Sequence, residues 1–171
     1  DMLYNPYYYY LKGDTYGSVY AYRYAGLTET GDPSVYNEKG EVQSGTSVRD
    51  INALVVKGQL DPKWNGALTV NLKWKTLELF TKFVYYAGHS LRNDVTPLYS
   101  MYTMDMFNPI YGEISGNMHK DMAKRWTPEN TDTDIPAMGL YGSQIDRNLQ
   151  WRYADVHVVS ASFIKCRNIG L

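Results

Sequence analysis

The chain has 171 residues, 17 Lys+Arg against 18 Asp+Glu, a net charge of −1, 17 tyrosines and one cysteine. That length is one domain's worth, and the near-neutral charge gives no electrostatic drive toward nucleic acid. A single Cys166 excludes an intrachain disulfide and a cysteine-rich zinc site, and no apolar run is long enough for a transmembrane helix. A mean hydropathy of −0.45 with abundant tyrosine still fits a transmembrane barrel, whose strands alternate lipid-facing and lumen-facing residues.

The opening Asp1-Met2-Leu3-Tyr4 has neither the basic nor the apolar region of a signal peptide, so a processed start or an internal fragment is expected. Tyr7-Tyr8-Tyr9-Tyr10 reads as extended. Residues 17–25 alternate, with Ser18, Tyr20, Tyr22 and Tyr24 on one face and Val19, Ala21 and Arg23 on the other. This predicts a strand whose tyrosine face meets headgroups, a core or a ligand. Residues 26–66, punctuated by Gly31-Asp32-Pro33, Asn37-Glu38-Lys39-Gly40 and Asp61-Pro62, read as a long loop.

The clearest periodicity follows. Over residues 67–74, Leu68, Val70, Leu72 and Trp74 alternate with Thr69, Asn71 and Lys73, which is a strand with one apolar and one polar face. Over 77–86, Leu77, Leu79, Phe83 and Tyr85 share a face with Thr81, while Glu78, Phe80, Lys82, Val84 and Tyr86 share the other. The two strands form an antiparallel hairpin, although Lys75-Thr76 is not the Asn-Gly pair that a two-residue turn favours, so a longer loop is allowed. Residues 88–153 read as a second long loop, with Met101, Met104 and Met106 suggesting a short helix or packed segment. A last strand is predicted over 156–167 with its faces unassigned. Loops this long are uncommon in compact domains unless functional.

Short turns at one end and long loops at the other fit an outer-membrane barrel; a soluble β-sandwich fits the periodicity as well. No candidate for catalysis emerges. Ser90 and Ser143 lack a GxSxG elbow, and His89, His119 and His157 lack metal-ligand spacing. Asp132 and Asp134 form a carboxylate pair, the one candidate for Ca²⁺, but lack the glycine and distal glutamate of a calcium loop, so no metal or other cofactor is expected. Cys166 reads as a small, partly buried apolar residue.

Several segments resemble one family. Tyr22-Arg23-Tyr24-Ala25-Gly26-Leu27-Thr28-Glu29-Thr30-Gly31-Asp32-Pro33 is similar to "YxYAGLDPETGDP" of the SusC/RagA family of TonB-dependent outer-membrane transporters, one residue shorter at Thr28. Leu60-Asp61-Pro62-Lys63-Trp64-Asn65-Gly66-Ala67-Leu68 resembles its "NPxPxWxGGL", and Trp74-Lys75-Thr76-Leu77-Glu78-Leu79 its "YKxFEL" turn. Residues 125–136, Arg-Trp-Thr-Pro-Glu-Asn-Thr-Asp-Thr-Asp-Ile-Pro, resemble "RWTPENPxTDIP", and residues 162–171 resemble "SYLRLKNITL".

The resemblance implies an all-β fold, part of a large antiparallel transmembrane β-barrel of about 22 strands with long extracellular loops. It implies that the plug domain and other strands lie outside this sequence. It also implies a non-enzymatic nutrient importer in the outer membrane of a Gram-negative bacterium, taking up oligosaccharide or peptide with a SusD-like surface lipoprotein and driven by TonB. Leu68, Val70, Leu72, Trp74, Leu77, Leu79 and Phe83 would then face lipid, and Asn71, Lys73, Glu78 and Lys82 the lumen, with Glu78 and Lys82 as an ion pair. Trp64, Tyr99, Tyr102, Trp126 and Trp151, with Tyr111 and Tyr141, are candidates for ligand or partner contact in the outer loops, against the plainer role of packing and interfacial anchoring. Residues 125–136 are expected to fix a turn. The rival reading is a soluble β-sandwich carbohydrate-binding module.

Overall fold

The computed structural model describes residues 11–44, 51–93, 95, 107–108, 113–114, 120–137 and 150–171. Tyr7 to Tyr10, Tyr99, Tyr102, Met101, Met104, Met106, Tyr111 and Tyr141 lie outside the described residues. The described residues are strands and turns with three short 3-10 turns and one helical turn at residues 150–152, so the fold is all-β in class, and its sheets are open.

The strand expected over 17–25 is two strands, β1 (Ser18–Tyr22) and β2 (Tyr24–Leu27), broken at Arg23. The backbone groups at the break go to three different partners. Tyr22 N–H donates to the Tyr153 carbonyl at 2.9 Å, Tyr24 N–H to Asp155 Oδ1 at 3.0 Å, and the Arg23 carbonyl accepts from Tyr36 N–H at 2.9 Å. One continuous ladder is thereby excluded. Both faces of β1 are buried, since Val19 and Ala21 are as enclosed as Tyr20 and Tyr22.

The expectation of a loop over 26–66 is corrected. That stretch holds β3 (Pro33–Tyr36), β4 (Val42–Ser44), a 3-10 turn (Ile51–Ala53), β5 (Leu54–Gln59) and the start of β6 (Trp64–Trp74). Strands β2, β3 and β4 form an antiparallel meander, and β1 pairs with β5. The residues that suggest a loop are the meander's turns. Thr28 Oγ1 accepts from the Asp32 N–H at 3.0 Å, and Gly31 closes that turn at φ 77°. Asn37 Oδ1 accepts from Glu41 N–H at 2.8 Å, and the Asn37 side-chain amide donates to Glu41 Oε2 at 2.8 Å. Strands of three or four residues are too short to display a period of two.

Strand β6 pairs along its whole length with β7 (Leu77–Ala87), from Trp64 opposite Ala87 to Trp74 opposite Leu77. The connection is only Lys75-Thr76. Lys75 adopts φ 54°, the left-handed conformation that a tight hairpin turn needs and that an L side chain enters at some cost.

The second long loop, 88–153, is also interrupted, by β8 (Ser90–Arg92), β9 (Phe107–Asn108), β10 (Glu113–Ile114) and a 3-10 turn (Lys120–Lys124). The strand expected over 156–167 begins instead as a 3-10 turn, Asp155–His157, and continues as β11 (Val158–Ser160) and β12 (Phe163–Gly170). Strand β8 pairs with β11, and β7 with β12. Both strand lines bend at one corner, where Gly88 takes φ 77° and its N–H donates to Ser162 Oγ at 3.0 Å.

The chain divides into two compact units, one with Tyr20–Val55 and Asn93–His157, the other with Tyr10–Val19, Val56–Arg92 and Val158–Leu171. The first holds an aromatic core that includes Tyr20, Tyr22, Val35, Met122, Trp151 and Tyr153. The second is dominated by the open sheet β12-β7-β6.

Candidate functional site

Directly opposed residues in an antiparallel ladder share a face, so the register of β6, β7 and β12 sorts every side chain of that sheet. Leu68 lies opposite Phe83, Val70 opposite Thr81, Leu72 opposite Leu79 and Trp74 opposite Leu77. Ile164, Cys166 and Ile169 join them through Tyr85, Phe83 and Thr81. This face is apolar except for the buried Thr81, and most of it is exposed, with Val70, Leu79 and Phe83 half-buried. Leu68 is 59 % accessible, Ile164 77 % and Ile169 76 %.

The opposite face carries Asn71 opposite Phe80, Lys73 opposite Glu78 and Thr69 opposite Lys82. The candidate residues Asn71, Lys73, Glu78 and Lys82 therefore share one face. The expected Glu78–Lys82 ion pair is corrected, because residues four apart on a strand are separated by about 13 Å. Glu78 faces Lys73 across the hairpin instead.

A bulge keeps the two faces distinct in β12. Between Cys166 and Asn168 the strand inserts one residue against β7, so Asn168 meets Lys82 and Ile169 meets Thr81. Without the insertion the alternation would place Asn168 among the apolar side chains and Ile169 among the polar ones. This is why the last strand's faces cannot be read from simple alternation. Cys166, expected to be partly buried, is exposed on the apolar face.

Trp64 also belongs to the apolar face. It opens β6 opposite Ala87 and is 68 % accessible, as is Trp74 at the other end of the strand. Its expected place in an outer ligand loop is corrected, since its position on the ladder fixes its side. The ten residue steps from Trp64 to Trp74 separate them by about 33 Å along the strand. Near Trp64 the Tyr85 ring covers Gly66, where a Cβ would come within 2.8 Å of the ring.

Trp126 and Trp151 have a different setting, in the unit built on β1 to β4. Trp151 is 2 % accessible, donates from Nε1 to the Asp134 carbonyl at 3.0 Å, and stands edge-on to His157 at 4.5 Å. Its ring has no free face for a ligand, which corrects that assignment in favour of packing. Trp126 is half-buried against Gly31, where a Cβ would lie 2.5 Å from Cδ2. The Ala137 N–H donates to the Gly31 carbonyl at 2.9 Å. Thus the turn at residues 28–32 and the segment 125–137, far apart in sequence, lock together.

Segment 125–136 is held internally by its own side chains. The Asn130 amide donates to the carbonyls of Lys124 and Arg125, both at 3.1 Å, and Thr133 Oγ1 donates to Lys124 O at 2.7 Å. The Trp126 N–H donates to Ile135 O at 2.8 Å. Asn130, Thr133 and the backbone pairing of Trp126 with Ile135 therefore hold the segment as a clamp, as expected of a turn-fixing segment. Asp132 and Asp134 are exposed, and among the described residues no three His, Cys, Asp or Glu side chains gather as a cation site. Within the same unit, burial pushes the Tyr24 hydroxyl well above its ordinary pKa, with the Asp134 carboxylate adding to the shift. That hydroxyl is buried without a hydrogen-bond partner among the described residues.

No protein-family model and no curated protein matches the chain. Solved structures do. The RagAB peptide importer in its open-open state matches with a TM-score of 0.60 at 20 % identity, over 94 % of this chain and 17 % of that one. Its closed-closed state gives 0.58 at 23 % identity over 89 % of this chain and 16 % of that one. A further structure, of the RagAB peptide transporter, gives 0.55 at 20 % identity over 89 % and 16 %. The described chain thus shares the all-β fold of a limited part of these transporter chains, spanning 16–17 % of their length.

Proposed function

We propose that this chain forms part of the barrel wall of a SusC/RagA-like, TonB-dependent nutrient importer in the outer membrane of a Gram-negative bacterium. In this reading it takes up peptide or oligosaccharide with a SusD-like lipoprotein and performs no catalysis. The carrying observation is the broad apolar face of β6, β7 and β12, exposed although water is its worst solvent. The fold likeness to the RagAB importer supports the same reading.

Dimensions add support. A strand tilted by about 40° projects the 33 Å between Trp64 and Trp74 onto about 25 Å, the height of a barrel's apolar band, with a tryptophan at each interface. The polar face then lines the lumen, and Lys75-Thr76 is a short periplasmic turn. The open edges of β6 and β12 require neighbouring strands, since an unpaired edge cannot lie in hydrocarbon. A soluble sandwich would instead place a second sheet over Leu68, Leu72, Ile164 and Ile169, and among the described residues none covers them.

The test is fractionation of the native source with intact-mass analysis. Recovery in detergent-extracted outer membrane as part of a much larger polypeptide is expected. A water-soluble species of 171 residues would overturn the reading.

A further inference from the structure

The polar face of the β12-β7-β6 sheet is not uniformly polar. At the end away from the hairpin turn, Phe163 lies opposite Tyr86 and the rings stack, with centroids 5.3 Å apart and planes at 26°. His89 braces the pair edge-on to Phe163 at 6.3 Å. One row along, Lys165 stands opposite Val84, and one further row along Lys82 stands between Asn168 and Thr69. The two lysines are diagonal neighbours on adjacent strands, about 7–8 Å apart. Their ladder partners are all neutral, whereas Lys73 faces Glu78.

The face therefore presents an aromatic platform followed by two positive charges without a carboxylate opposite either. On the β6 side the two lysine rows carry Ala67 and Thr69, which are short and leave Lys82 and Lys165 uncovered from that strand. Rows on one face repeat every two residues, about 6.6–6.8 Å, and an extended peptide repeats its side chains on one side at that same interval. A peptide laid along these strands would keep in step with the rows. An apolar side chain on the aromatic pair then sets the side chain two positions on between Lys165 and Lys82, where charge complementarity selects a carboxylate.

We propose that this face is a docking site for an extended acidic peptide, with its carboxylate held by Lys82 and Lys165 and a neighbouring apolar side chain resting on Tyr86 and Phe163. The inference rests on the importer reading and names the substrate class for it. It also makes the wall charge-selective, so that binding weakens as salt rises.

The experiment uses the full-length importer with its native partners and two extended peptides that differ only in carrying Glu or Gln. The wild type is expected to bind the Glu peptide more tightly. In K82Q/K165Q, affinity for the Glu peptide should fall about tenfold or more, the loss of charge-assisted hydrogen bonds, while the Gln peptide is unaffected. K82R/K165R should retain the preference, which separates lost charge from lost folding. Equal losses for both peptides, no loss for either, or a wild type blind to the Glu–Gln difference would each overturn the proposal while leaving the importer reading standing. A K82Q/K165Q protein that admits a large antibiotic with its peptide preference unchanged would assign the lysines to a contact inside the transporter and overturn it too. A wild type that binds neither peptide would overturn the proposal, while the importer reading, which also allows oligosaccharide, is decided separately by the fractionation test.

Discussion

Two tryptophan-bearing regions of this chain obey opposite rules. Trp151 is 2 % accessible, its Nε1 paired with a carbonyl and its ring edge-on to His157. Trp64 and Trp74 are each 68 % accessible on an exposed apolar sheet face. The residue type is the same, and the surroundings decide its role. Around Trp151 the chain supplies its own apolar medium; around Trp64 and Trp74 it leaves that medium to something else, which in our reading is lipid.

The contrast can be broken most forcefully at its buried end. Trp151→Ala removes a fully packed indole and leaves Asp134 O without its donor, so a loss of about 3–5 kcal/mol is expected. Thermal or denaturant unfolding of the full-length protein measures it, and a near-neutral result would mean that the ring is not core. Next in size is a charge on the apolar face. Leu72→Lys should cost about 2–4 kcal/mol in a bilayer, while the adjacent Asn71→Lys, on the other face, should cost little. Folding yield into vesicles distinguishes them, and equal effects would erase the two-faced description.

Gly31→Ala tests the clamp. Its Cβ would lie 2.5 Å from Trp126 on a backbone at φ 77°, so a destabilisation of about 1–3 kcal/mol is expected in equilibrium unfolding. The smallest effect is at Tyr24, whose pKa is raised by burial and then by Asp134. A raised folded-state pKa contributes stability that is complete below the unfolded value of about 10 and is lost as pH rises through the folded one. Alkaline titration should thus show a stability loss above about pH 10 that Tyr24→Phe reduces. An identical alkaline profile in the variant would contradict the assignment.

How much of this was legible depended on segment length and on where polar groups found partners. Strands β6 and β7 are eleven residues each, long enough for a period of two to show over residues 67–74, so the hairpin and the two faces of its first strand could be read directly. Strands β2, β3 and β4 have four, four and three residues, and their Gly, Asn and Asp turns dominate the local pattern, hence the apparent loop. The break at Arg23 depends on Tyr153, Asp155 and Tyr36, contacts that no local window contains. The bulge in β12 shifts alternation by one residue midway, which blurred its faces. Among the candidate aromatics, nothing local distinguishes Trp151 from Trp64, because burial is set by distant chain. The pairing of Tyr86 with Phe163 was missed because the two lie on strands far apart in sequence, and which strands become neighbours is not a local property.

The central claim is that adjacent residues of β6 meet different solvents. Cysteine substitution at each position from Leu68 to Lys73, in the full-length protein in intact outer membranes, with labelling by a membrane-impermeant maleimide and peptide mapping, tests it directly. The account predicts alternation, with positions 69, 71 and 73 labelled and positions 68, 70 and 72 protected by lipid. Uniform labelling along the strand would contradict it.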